Sequence, residues 1–148
     1  MLNKSIKFLG LLILIISLAI TMAACDMGYT EDVESPDMTI EEMKRKAIHV
    51  DYDELRRHPE QYRGTVVEYT GKITQAVPGT EKAFRVYITK EYFWTDDIYL
   101  RVGYDISLIT EDIIYFVGIA RGNITYETVL GSERTIPLID GYYVELSN

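Results

Sequence analysis

Hydropathy along the chain falls into three regimes. From Phe8 to Ile20 almost every position is apolar, broken only by Gly10 and Ser17. Residues 26–42 reverse this, with seven acids (Asp26, Glu31, Asp32, Glu34, Asp37, Glu41, Glu42), no base, and Gly28, Ser35 and Pro36 interrupting any period. Low hydrophobicity with like charges predicts a self-repelling tether there. Two short helical patterns follow. Thr39 and Glu42 have capping-box spacing, and Ile40, Met43 and Ala47 make a stripe. Asp51 can cap a second helix running to His58, with Asp53 and Glu54 in its first turn and Arg56, Arg57 and His58 in its last, where the helix dipole favours them. Pro59 stops it.

From Gly64 onward the period is two. Thr65 to Val77 is a long β-branched run, and Gly71 in its middle predicts a bulge or sharp bend. Pro78-Gly79-Thr80 reads as a turn. Ala83 to Thr89 places Phe84, Val86 and Ile88 on one face, and Asp97 to Val102 does the same with Ile98, Leu100 and Val102. Tyr104 to Thr110 is a connection with room for one helical turn. Asp112 to Ala120 is a strand. Ile124 to Leu130, a turn at Gly131-Ser132-Glu133, and Thr135 to Leu146 complete the chain, with Pro137 and Gly141 interrupting the last part. The expected fold class is mainly β, a small closed barrel of about five strands preceded by one or two short helices.

The apolar run changes meaning once its flanks are read. Lys4 and Lys7 precede it, and Ala23 and Ala24 lead into Cys25, the only cysteine. These are the three parts of a secretory signal, and Met22-Ala23-Ala24-Cys25 looks like a lipobox, where a bacterial lipoprotein is acylated on cysteine and cut just before it. A permanent transmembrane helix is the alternative. Phe8 to Ala24 spans 17 residues, at the lower limit of a span of roughly 17–25. The expected organisation is a signal peptide over 1–24, a lipidated cysteine with an acidic tether over 25–42, and the barrel domain over 43–148. One acyl chain holds a protein only marginally, whereas two anchor it stably. The lipid on Cys25 therefore makes the membrane a partner and sets the location at the extracytoplasmic face of the cell membrane. A thioether at Cys25 also leaves no disulfide.

Charge and motifs exclude more than they assign. Losing Lys4 and Lys7 with the leader takes the formal charge from −8 to −10, and residues 43–148 hold 13 bases against 16 acids. Such a balance disfavours polyanions. No metal site is expected: His49 and His58 stand nine apart without a cysteine partner, and Asp51, Asp53 and Glu54 lack the glycine of a calcium loop. Asp96-Asp97 reads as the start of a strand rather than a cation site. No cofactor fingerprint, P-loop or nucleophile elbow is present. A non-enzymatic protein without catalytic residues is expected.

Tyr52-Asp53-Glu54-Leu55 and His58-Pro59-Glu60-Gln61-Tyr62-Arg63-Gly64 lead into Tyr69-Thr70-Gly71-Lys72-Ile73. Together with Trp94-Thr95-Asp96-Asp97-Ile98-Tyr99-Leu100, Glu111 to Gly118, Thr125 to Gly131 and Thr135-Ile136-Pro137, this resembles the small OB-fold, tRNA-anticodon-binding-like domains of Gram-positive bacterial surface lipoproteins. The likeness covers about residues 51–146. It implies a five-stranded OB-like barrel and a surface location, not an activity. In OB folds the second and third strands form the usual binding face. Here Tyr87, Tyr92, Phe93, Trp94 and Tyr99 supply aromatics, with Arg85 and Arg101 beside them. Three adjacent aromatics on a strand or loop cannot all face a core, and exposed aromatics mark contacts. The expected function is capture of a protein, peptide or envelope-glycan partner by Arg85, Tyr87, Tyr92, Phe93, Trp94, Tyr99 and Arg101. Single-stranded nucleic acid is the second reading, disfavoured by the acidic balance, and an envelope enzyme the third.

Overall fold

The structure, a computed structural model, describes residues 33, 35–77 and 82–147. The leader, Cys25, most of the acidic tether and the turn at Pro78 therefore lie outside the described residues. Among those described, no helix is long and apolar enough to cross a membrane.

Among the described residues, three short helices come first. In α1 (Ile40–Lys46) the capping box is formed: the Glu42 amide donates to Thr39 Oγ1 at 3.3 Å, and the Thr39 amide donates to Glu42 Oε2 at 3.0 Å. These bonds satisfy donors that the first turn otherwise leaves open. In α2 (Tyr52–Arg57) Asp51 Oδ1 accepts from the Asp53 amide at 2.9 Å. Pro59 ends α2 as expected, but it also starts a third helix, α3 (Pro59–Tyr62). Proline suits a first helical position because the N–H it lacks would find no partner there.

Five strands follow: β1 (Val66–Ala76), β2 (Ala83–Lys90), β3 (Trp94–Val102), β4 (Ile113–Glu127) and β5 (Glu133–Leu146). They close into a barrel in the order β1-β2-β3-β5-β4. β3 and β5 pair in parallel, from Tyr99 opposite Leu138 to Val102 opposite Gly141, and the other neighbours are antiparallel. This is the OB topology, and the expected mainly β, five-stranded class is found. Phe84, Val86, Ile88, Ile98, Leu100 and Val102 all face inward and are buried with Ile73, Ile114, Phe116 and Ile139. Leu55 of α2 and Val50 join this core, and the Tyr69 hydroxyl donates to the Val50 carbonyl at 2.8 Å. α2 is thereby fixed against the barrel. Met43 of α1 packs in a second cluster with Val66, Val117 and Ile119.

Several boundaries differ from the sequence reading. The irregularity in β1 lies between Ile73 and Gln75, not at Gly71. Gly71 instead permits close approach: a Cβ there would stand 2.5 Å from Val86 Cγ1 and 2.8 Å from the Tyr87 carbonyl. The two segments read as separate strands at Asp112–Ala120 and Ile124–Leu130 are one strand, β4, whose register shift between Ala120 and Gly122 absorbs Arg121. β5 runs through Pro137 and Gly141 without a break. The stretch Tyr104–Thr110 forms no helix.

Candidate functional site

The parallel seam between β3 and β5 begins only at Tyr99 and Leu138. Ahead of it, each strand pairs within its own hairpin, β3 with β2 and β5 with β4. A cleft of about 490 Å³ opens at this end, lined by Tyr52, Asp53 and Arg56 of α2, Tyr87 of β2, Trp94 to Asp97 of β3, and Arg134 and Thr135 of β5. Three aromatic rings and two arginines thus converge from four elements.

The floor of the cleft is charged and held in place. Asp97 is 2% exposed and forms an ion pair between its Oδ2 and Arg85 Nη2. The Arg85 guanidinium also lies 4.9 Å from the centre of the Tyr126 ring. Such a cation–π contact orients the guanidinium while part of it stays dry. Lys90 Nζ stands 5.3 Å from the Trp94 ring centre. Arg56 has a loose pair with Asp53 at 3.7 Å, worth little at such exposure. Asp96 adopts a left-handed backbone, φ 66°, a conformation that aspartate tolerates better than most residues. Burial pushes the Tyr52 and Tyr99 hydroxyls above the ordinary tyrosine range, so both rings stay neutral at physiological pH.

The expected site residues separate into groups. Tyr87 and Trp94 line the cleft, and Arg85 joins it through Asp97. Tyr92 and Phe93 occupy the β2–β3 turn and are 94% and 81% exposed, so two of the three adjacent aromatics face outward. Tyr99 is half-buried opposite Arg85 in the sheet. Arg101 belongs to another constellation: its Nε donates to Asp140 Oδ1 at 2.8 Å, while Arg121 Nε donates to Asp140 Oδ2 at 2.8 Å and Arg121 Nη2 to the Tyr142 hydroxyl at 3.0 Å. Desolvation lowers the Arg121 pKa, but its bonds to Tyr142 and Asp140 raise it by more. Asp96-Asp97, expected at the turn that starts a strand, lies within β3, where Asp97 is a buried ion-pair partner. Tyr52, Arg56, Asp97 and Arg134 were missed by sequence reasoning. For Asp97 a signal existed, since the β2–β3 hairpin register places Arg85 and Asp97 on one face, diagonally across. For the other three the chain separation hides the meeting. Cys25 lies outside the described residues. Among those described, no group of three or more His, Cys, Asp or Glu residues could hold a metal ion.

The fold and cleft define a small OB barrel with an aromatic, arginine-bearing recess beside its second and third strands. No protein-family model matches the chain, and no curated protein does. Solved structures similar to it include two crystal structures of the mitochondrial single-stranded DNA-binding protein Rim1 from S. cerevisiae, one of them selenomethionine-labelled. Each is 14% identical and covers 56% of this chain, with 92% and 94% of the Rim1 chains covered and TM-scores of 0.37 and 0.38. Both are single-stranded DNA-binding proteins, so these neighbours match the second reading and not the expected protein, peptide or envelope-glycan partner with nucleic acid unlikely; at 14% identity the likeness itself is one of fold. The recess departs from the domain's acidic average only as far as neutrality: Arg56, Arg85 and Arg134 stand there against Asp53, Asp96 and Asp97.

Proposed function

We propose that this protein binds single-stranded nucleic acid at the cleft between the β2–β3 hairpin and β5. The observation that carries the reading is the convergence of Tyr52, Tyr87 and Trp94 with Arg56 and Arg134 in one open recess. Base stacking on aromatic side chains contributes about 1–3 kcal/mol per base and tolerates any sequence, while arginines follow the phosphates. Stacking needs unpaired, splayed bases, so a single strand fits where a duplex does not. The exposed rings of Tyr92 and Phe93 extend the apolar surface beyond the cleft.

Trp94 is the only tryptophan, so its fluorescence reports directly on the site. Titrating mixed-sequence single strands should quench Trp94 emission saturably, with the corresponding duplex at least tenfold weaker. Unchanged emission, together with unchanged anisotropy of a labelled strand, rejects the reading.

The barrel's place in the cell follows from the lipobox at Met22 to Cys25: a diacylated Cys25 tethers it at the extracytoplasmic face of the membrane, as in the Gram-positive surface lipoproteins it resembles. Supporting this are the basic, apolar and small-residue segments in order. Cys25→Ser should abolish incorporation of labelled palmitate and release the protein from the membrane fraction. A Cys25→Ser protein that keeps the label rules out acylation at this residue.

A further inference from the structure

Four buried side-chain polar atoms have no hydrogen-bond partner among the described residues: Arg85 Nε, Asp97 Oδ1, Asn123 Oδ1 and the Tyr126 hydroxyl. Buried polar groups are nearly always paired, and each exception asks for a cause. These exceptions are not scattered. Asp97 lines the cleft, and Arg85 is its ion-pair partner and stacks on Tyr126. Asn123 Nδ2 donates to the carbonyl of Arg56, another cleft residue, at 3.0 Å. Tyr126 stands opposite Arg134 in the β4–β5 ladder. Of the four, Asp97 lines the recess, and the other three lie just behind it, each paired with, bonded to or opposite a lining residue.

The chemistry of these four atoms is lopsided. Asp97 and Asn123 offer oxygens that accept, Arg85 Nε offers one donor, and the Tyr126 hydroxyl does either. Only one Asp97 oxygen is open, because Arg85 holds the other. The complementary ligand is a flat ring that carries an N–H donor next to an acceptor. We infer that the cleft selects a nucleobase with an exocyclic amino group, stacked on Trp94 or Tyr87, its amine donating to Asp97 Oδ1 and its neighbouring ring acceptor taking Arg85 Nε–H. This inference rests on the strand binding proposed above and adds base preference to it. Among pyrimidines, cytosine presents the N4 amine that a carboxylate accepts. Thymine presents a carbonyl oxygen at the same place, and two acceptors then face each other with Asp97 left unpaired.

The test is a Trp94 fluorescence titration of the full-length protein in detergent with oligo-dC, oligo-dT, and an oligomer carrying pyrimidin-2-one, which is cytosine without its amino group. Oligo-dC should bind about tenfold or more tightly than either of the others, as expected when a buried polar group loses its partner. Asp97→Asn should narrow the dC/dT ratio to about threefold or less. Where that variant does not fold, the pyrimidin-2-one comparison on the unmodified protein decides. Equal affinity for all three oligomers, or a preference for oligo-dT, overturns base selection while leaving strand binding in place. Binding of none of them overturns both.

Discussion

Asp97 illustrates how one carboxylate can hold a structural ion pair with one oxygen and leave the other buried without a partner. Its Oδ2 neutralises Arg85 in a setting where the aspartate side chain is 1% exposed and the arginine 21%. Removing one partner of such a pair strands the other, at a cost of about 3 kcal/mol, whereas replacing both by apolar residues of similar volume is nearly neutral. Asp97→Ala should therefore lower unfolding stability in urea by about 3 kcal/mol, and the double variant Arg85→Met, Asp97→Leu should recover most of it. A double variant as unstable as the single one would show that the pair itself, not the stranded charge, holds this corner. At Gly118 the constraint is space. An added Cβ would stand 2.7 Å from Ile139 Cγ2 and closer still to the Asp140 carbonyl. Gly118→Ala should cost about 1–3 kcal/mol by overpacking, read as a lower urea midpoint at unchanged slope.

Among the elements, the first helix shows most directly how sequence sets structure. Thr39 and Glu42 were legible as a capping box, and both bonds are made. Those bonds from Thr39 hold the Glu42 carboxyl below its ordinary 4.5. A depressed folded pKa contributes stability above the unfolded value and loses it as pH falls through the folded one. Thr39→Ala should cost about 1 kcal/mol near neutrality, whereas Glu42→Gln, which removes the titrating carboxyl, should lessen the loss of stability that the parent shows below pH 4.5, both measured by thermal unfolding. Alternation was equally legible in β2 and β3, because inward positions every second residue leave a direct trace. Continuity of β4 was not. Gly118 and Gly122 look like breakers, yet Gly118 makes room for the β5 backbone and Gly122 takes the left-handed turn of a bulge, φ 104°. The cleft was half legible for a related reason. Tyr87 and Trp94 sit near each other in the chain, while Tyr52 and Arg134 reach the same recess from segments whose meeting depends on barrel closure.

For the molecule as a whole, charge and tyrosine burial set the response to solvent. Tyr115 is pushed up to about 12 by burial and by its bond to Glu68, Tyr69 is pushed higher by burial, and Tyr104 is also raised. The fold thus prefers neutral phenols. That contribution is complete below the unfolded value of 10 and fades as pH climbs toward about 12. Melting temperature should fall across that interval, more steeply than in Tyr115→Phe. Strand binding should depend only mildly on salt. With Arg56 and Arg134 each meeting one phosphate, the logarithm of affinity should fall against that of salt with a slope of about −1.4, and Arg134→Ala should bring it to about −0.7.

The strand order has a temporal side as well. β5 lies between β3 and β4, so the segment synthesised last of the five is the one that shuts the cylinder. A chain that ends before Glu133 is an open sheet with bare rims on β3 and β4, the edges that invite pairing with other chains. Both rims are covered only when β5 has paired with β3 on one side and β4 on the other, so a single late segment decides whether the sheet offers edges to other chains.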